Sequence, residues 1–173
     1  MKAYLFSLLL FPLVCFSQQK AKYPDVVLLN NKLDGTGKLL YADVIQILGI
    51  SDSIVRTELY CGSFFESTDS LLFFHRTVFE KQADTLIFKQ MDFAAKSSDF
   101  VHFGNIKLTT ATTRSEIEAQ FVVLFNDNVG GANDYINGKK TTVGIIDSGL
   151  KDQVWYLWFC DDKAVRLELR RDC

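Results

Sequence analysis

The closing stretch QVWYLWFCDDKAVRLELRR constrains the fold more than any other part of the chain. Residues 153–160 and 164–171 are two strand-forming runs separated by the polar tip Asp161-Asp162-Lys163, which predicts a β-hairpin. In the returning run Val165, Leu167 and Leu169 alternate with Arg166, Glu168 and Arg170, a period of two that suits a strand and not a helix. In the first run Trp155, Leu157 and Phe159 point one way and Tyr156, Trp158 and Cys160 the other, because successive strand side chains face opposite sides. Both faces are apolar. The strand is therefore expected either at the centre of a sheet or with one aromatic face turned to a partner, which makes Trp155, Tyr156 and Trp158 candidate contact residues.

The same hairpin separates two cysteines. Cys160 sits at the tip and Cys173 lies at the far end of the returning strand, roughly 30 Å away at the rise of a strand. Disulfide geometry tolerates Cα atoms no more than about 7 Å apart. Cys173 is therefore expected to pair with Cys61, a bond that would contribute about 4 to 5 kcal/mol by loop closure. Cys160 is then a buried, unpaired thiol, and a Cys61–Cys160 bond is the alternative that leaves the hairpin intact.

These cysteines gain a role from the other end of the chain. MKAYLFSLLLFPLVCFSQQK has one basic residue, an apolar run from Ala3 to about Phe16 and a polar switch at Gln18, the pattern of a signal peptide over residues 1–17 with cleavage after Ser17. The apolar run is short for a membrane span, which needs about 20 such residues. The alternative is lipidation at Cys15, the one route by which the chain would meet a membrane. Export to the periplasm or beyond exposes thiols to oxidising conditions, and Cys61, Cys160 and Cys173 are the three left after cleavage.

Residues 18–173 suit a single domain. With fifteen Phe and 48% hydrophobic residues the chain can bury enough apolar surface to offset its ordering entropy. Removing Lys2 with the leader leaves 18 basic against 21 acidic residues, a formal charge of −3. No basic stripe exists for nucleic acid and no polybasic segment for anionic lipid.

Along the chain, LLYADVIQILGIS places Leu40, Val44, Ile47 and Leu48 at helical spacing and stops at Gly49. SIVRTELYC (53–61), SLLFFHRTVFE (70–80), TLIFKQMDF (85–93) and FVHFGNIKL (100–108) read as strands of an antiparallel meander. A second helix begins with a capping box, Thr113 with Glu116, and presents Ile117 and Phe121 on one face. The Asn-, Asp- and Gly-rich segment 126–140 is a long loop or broad hairpin connection, and 141–147 is a further strand. Helix then strands, repeated, gives an α+β fold: an antiparallel sheet with short helices on one face, and two pseudo-repeated halves, 36–95 and 100–173.

The short capped helices, T-x-x-E-I at 113–117 and D-V-I-Q-I-L-G at 43–49, each followed by an aromatic meander, resemble the β-lactamase-inhibitory-protein fold family. That fold is also found in small outer-membrane-assembly lipoproteins. The resemblance implies a non-catalytic, protein-binding role. It transfers no functional residue, because that family makes its contacts on variable loops and sheet faces.

The residues themselves offer little catalytic chemistry. Cys61-Gly-Ser-Phe-Phe has the look of a cysteine-protease nucleophile segment, but it closes a strand pattern instead of opening a helix, so nothing lowers the thiol pKa. His75 and His102 lie in apolar runs without ligands at metal spacing; a zinc site needs three or four, and only a spatial meeting with Asp99 or Glu80 would supply them. Donors at Asn126, Asp127, Asn128, Asn133 and Asp134 lack the closing acid of a calcium loop. Asp34-Gly-Thr-Gly-Lys is too short for a P-loop, and Asp161-Asp162 is a solvated hairpin tip.

No cofactor or metal is implied. The sequence is therefore expected to encode a non-enzymatic exported module that binds a protein partner as an inhibitor, immunity factor or envelope-assembly component. Trp155, Tyr156 and Trp158, with Asn128, Asn133 and Tyr135 from the polar loop, are the expected contacts. The alternative is a small periplasmic hydrolase or ligand-binding protein using His75 or His102.

Overall fold

A computed structural model describes residues 20–28, 31–32, 37–56, 64, 70–93, 101–126, 135–136 and 138–171. Strands make up 57% of the described residues and helices 13%, so antiparallel sheet dominates and two short helices complete an α+β fold. The strands are β1 (Val26–Leu28), β2 (Asn31–Lys32), β3 (Lys38–Leu40), β4 (Ser53–Val55), β5 (Ser70–Phe74), β6 (Thr77–Gln82), β7 (Thr85–Asp92), β8 (Val101–Phe103), β9 (Ile106–Leu108), β10 (Leu124–Asn126), β11 (Tyr135–Ile136), β12 (Lys139–Lys140), β13 (Thr142–Asp147), β14 (Gln153–Cys160) and β15 (Lys163–Arg171). The helices are α1 (Tyr41–Leu48) and α2 (Arg114–Gln120).

The large sheet runs β10-β13-β14-β15-β7-β6-β5-β4, with β3 paired to β7 beside it. A second sheet, β2-β1-β8-β9, was not foreseen in the sequence, because its strands are only two or three residues long. Its side chains Val26, Leu28, Val101, Phe103 and Leu108 join Val44 of α1 and Ile117 of α2 in one core with Phe79, Phe88, Trp155, Leu157, Phe159, Leu167 and Leu169 of the large sheet. Both helices and the small sheet thus cover the same face of the large one. On its other face Val143 and Trp158 pack with Ile136 into a smaller cluster.

The closing hairpin forms where its pattern predicts, with one correction: a bulge opposite Trp158 and Phe159 turns Val165 away from Leu167 and Leu169 and onto the face of Trp158, while Ala164 takes the core side. Trp155 pairs with Leu169 and Leu157 with Leu167, and the strands turn over at Asp161 and Asp162, both at positive φ. Aspartate tolerates that conformation because its short side chain can satisfy local backbone groups.

Two runs read as single strands are instead hairpins. Residues 70–80 turn at His75 and Arg76, where Phe74 pairs with Thr77, and 100–108 turn at Gly104 and Asn105. His75 has φ 51°, which the first position of a two-residue hairpin loop calls for but which histidine adopts only uncommonly. A residue distant in sequence stabilises it: the Asp52 carboxylate accepts a hydrogen bond from the His75 backbone N–H and lies 2.9 Å from the ring Nδ1. Gly104 is required at its turn, since with φ +60° a Cβ there would stand 2.6 Å from Phe121 Cζ. Of 53–61, only Ser53–Val55 is strand among the described residues.

The helices differ in how they are held. α1 has Leu40 at its N-cap with no side-chain cap, and it buries Val44 while Leu40 and Ile47 stay exposed, contrary to the spacing-based expectation. Packing of one short face therefore maintains it. α2 has the full capping box: Glu116 N–H donates to Thr113 Oγ1, and Thr113 N–H donates to the Glu116 carboxylate at 2.7 Å. That N–H holds the Glu116 pKa below its ordinary value of 4.5. Because the folded-state pKa is the lower one, this stabilisation is complete above the unfolded value and is lost as pH falls through the folded one. Glu116→Gln keeps an acceptor that does not titrate. The gap in urea midpoint between wild type and this variant is expected to narrow steadily from pH 6 to pH 3, and a pH-independent gap would count against the capping box as its source.

Candidate functional site

Four strands build a continuous polar and aromatic surface on the face of the large sheet opposite the helices. Alternation along β14 sends Tyr156 and Trp158 there. Along β15 it sends Arg166, Glu168 and Arg170, and on β6 Glu80; on β7 a bulge opposite Val78 and Phe79 brings Lys89 to the same side as Asp92. β15 pairs with β7 through Arg166↔Asp92, Leu167↔Met91 and Glu168↔Gln90, so these side chains meet at the middle of the sheet.

Their contacts form a chain. Glu80, fully buried, accepts the Phe64 N–H at 2.9 and 3.1 Å and faces Lys89 Nζ at 3.4 Å. The Lys89 ammonium lies over the Phe64 ring, 4.3 Å from its centroid. Burial is the main cause of a lowered Lys89 pKa, and the charge of Glu80 opposes it. Glu168 receives Arg170 in a two-pronged pair, Nε at 2.8 Å and Nη2 at 3.2 Å, and also the Trp158 Nε1–H at 3.1 Å. The Arg170 guanidinium stacks 4.5 Å from the Tyr156 ring centroid and 5.8 Å from that of Trp158. Arg166 makes a second two-pronged pair with Asp92.

Every charge named here has an opposite neighbour, so the surface carries little net charge. Its side chains are held in place by more than one contact each. Such a surface holds donors, acceptors and ring faces in fixed positions.

Among the residues expected to contact a partner, Trp155 is corrected to the core: it is 1% exposed and packs between Phe88 of β7 and Phe103 of β8. Trp158 is on the expected face yet equally buried, under Ile136, and acts by holding Glu168. Tyr156 is the one of the three with accessible area. Asn128 and Asn133 lie outside the described residues, and of Tyr135 only the strand position is described, in the β11–β12 hairpin. Sequence reading missed Arg170, Arg166 and Lys89, although the alternation of β15 already placed the two arginines on one face.

The histidines are not brought together. His75 sits at the β5–β6 turn with its side chain 77% exposed, and half-buried His102 is in the small sheet opposite Val27. Among the described residues no three His, Cys, Asp or Glu side chains could hold a metal.

Cys160 is a free thiol, half-buried instead of buried, with its pKa raised by desolvation first and by the adjacent Asp161 carboxylate. Cys61, Cys173 and the leader 1–17 lie outside the described residues. Arg171 Nη1 donates to the Phe64 carbonyl at 3.3 Å, which places the end of β15 beside Phe64. No helix among the described residues is long and apolar enough to cross a membrane. No protein-family model, curated protein or solved structure matches the chain.

Proposed function

We propose that this chain is an exported, non-enzymatic protein-binding module, and that the helix-free face of its large sheet is the contact surface. The observation that carries this reading is the Tyr156–Arg170–Glu168–Trp158 group. Interface hot spots favour aromatic and arginine side chains, and affinity is gained when those groups need not be ordered on binding. Here Arg170 is fixed by Glu168, Glu168 is fixed by the Trp158 N–H, and Tyr156 backs the guanidinium. The partner-facing atoms are those of Tyr156, Arg170, Arg166 and Asp92, all partly exposed. An inhibitor, an immunity factor and an envelope-assembly component all work by such shape-complementary contact.

The reading includes a repeated architecture, in keeping with the resemblance to the β-lactamase-inhibitory-protein fold family. Residues 36–95 supply α1 and β4 to β7, and residues 100–173 supply β8-β9, α2, β10 and β13 to β15; the β1-β2 hairpin, which precedes residue 36, is the counterpart of β8-β9. Corresponding strands meet at the middle of each sheet, β1 with β8 and β7 with β15, both antiparallel. With β3 and the β11–β12 hairpin set aside, since neither has a counterpart, both strand orders read as palindromes under exchange of the halves. The proposed surface straddles the β7–β15 junction, with Glu80, Lys89 and Asp92 from one half and Tyr156, Arg166 and Arg170 from the other.

The test is affinity capture from envelope extract with tagged residues 18–173. Wild type is expected to retain a defined partner, and Arg170→Ala to weaken its binding by about 2 kcal/mol, close to thirtyfold, with an unchanged circular dichroism spectrum. No partner for wild type, or equal retention by a folded Arg170→Ala variant, would refute the reading.

A further inference from the structure

The two ends of the large sheet differ. At the β10 end, the Val122 N–H just before the strand is already taken by the Ala21 carbonyl at 3.3 Å. At the other end β4 pairs, among the described residues, only with β5, and Ser53, Ile54 and Val55 are all exposed. The segment leading into and through this edge is aliphatic: Ile47 is 45% exposed, Ile50 85%, Ile54 61% and Val55 47%. No proline, lysine or bulge guards β4, and an unpaired edge without such devices is a template for another strand.

We propose that two copies of this chain associate through β4, the strands pairing antiparallel about a two-fold axis at Ile54. Charge complementarity sets both the occupant and the register. With Ile54 opposite its own copy, Ser53 stands opposite Val55, and Asp52 stands opposite Arg56 of the second copy, at both ends of the pair. Arg56 is exposed and has no ion-pair partner among the described residues. Both His75 contacts of Asp52 fall on Oδ2, so Oδ1 is left without a partner among the described residues. Opposite charges directly across a strand pair are favourable and like charges unfavourable.

A shift by one or two residues loses both ion pairs. A two-fold contact also closes on itself and gives a dimer, where β4 against β10 would propagate into a filament. A three-residue strand supplies few hydrogen bonds, so the expected association is concentration-dependent. It would join two large sheets edge to edge and leave the Tyr156–Arg170 face open, so it stands apart from the function proposed above.

Sedimentation velocity on residues 18–173 over a wide concentration range tests this. Wild type is expected to move from monomer to dimer. Arg56→Asp, which sets like charges opposite each other at both ends, is expected to weaken association about tenfold. Asp52→Arg with Arg56→Asp restores the opposition and is expected to recover it. Should that double variant fail to fold, Ile54→Lys decides, since Ile54 is largely exposed and a charge at the axis meets its own copy. Its expected result is a monomer with an unchanged circular dichroism spectrum. A wild type that stays monomeric throughout, alone or bound to a strand of another protein, overturns the proposal, as does a dimer indifferent to both Arg56→Asp and Ile54→Lys.

Discussion

Replacing Trp155 with alanine is expected to cost about 3 to 5 kcal/mol, the range for removing a large aromatic from a packed core. Set against a typical domain stability of about 5 to 15 kcal/mol, this leaves much of the chain unfolded at moderate temperature. The indole is 1% exposed and lies 6.0 Å from Phe88 and 5.9 Å from Phe103, centroid to centroid. Phe88 belongs to the large sheet and Phe103 to the small one, so the substitution empties the contact that joins the two. Tyr156→Ala, one residue on and facing the other way, is expected to cost about 1 kcal/mol, as for ordinary half-exposed positions. Guanidinium unfolding followed by circular dichroism measures both. Equal losses at the two positions would refute the assignment of faces.

The second large effect is electrostatic. Glu80→Ala leaves Lys89 without its buried counter-charge and the Phe64 N–H without its acceptor. Breaking one half of a buried pair is expected to cost about 3 to 5 kcal/mol. Replacing both residues, Glu80→Leu with Lys89→Met, removes the uncompensated charge and is expected to recover most of the loss.

The pH dependence gives an independent sign. Burial holds the folded-state pKa of Lys89 below its ordinary value of 10.5, so between the two values the unfolded chain binds the additional proton and stability rises with pH. Without Glu80 the folded value falls further and the window opens at lower pH. The stability deficit of Glu80→Ala relative to wild type should therefore shrink as pH rises from 7 towards 10. A deficit that stays constant, or a double variant as unstable as the single one, would show that the pair does not carry the effect.

Much of the architecture could be read from local pattern. The β14–β15 hairpin announced itself through alternation and an acidic tip, and the α2 capping box through Thr113 and Glu116. Both are set by groups within a few residues of one another, and local chemistry is what a sequence records directly. The turn at His75 was hidden for the converse reason: the group that receives its N–H, Asp52, is distant in the chain. The small sheet was hidden because strands of two or three residues leave no periodicity to detect.

The candidate surface divides in the same way. That Tyr156 and Trp158 share a face, and that Arg166, Glu168 and Arg170 share another run of one, follows from a period of two. That these two runs and Glu80, Lys89 and Asp92 lie on the same side of one sheet depends on β15 pairing with β7, a contact between distant segments. Burial was likewise a tertiary matter: Trp155 and Trp158 are both apolar on opposite faces, and only the small sheet on one side and Ile136 on the other decide that neither reaches solvent.

The sequence by itself thus determined the strands with clear alternation, the capped helix and the sidedness of residues away from the bulges, because these depend on backbone geometry that repeats every two or every few residues. The tertiary structure alone decided which strands adjoin and which aromatics are covered, because those outcomes depend on long-range pairing, where the free energy comes from surfaces that meet only once the chain has folded.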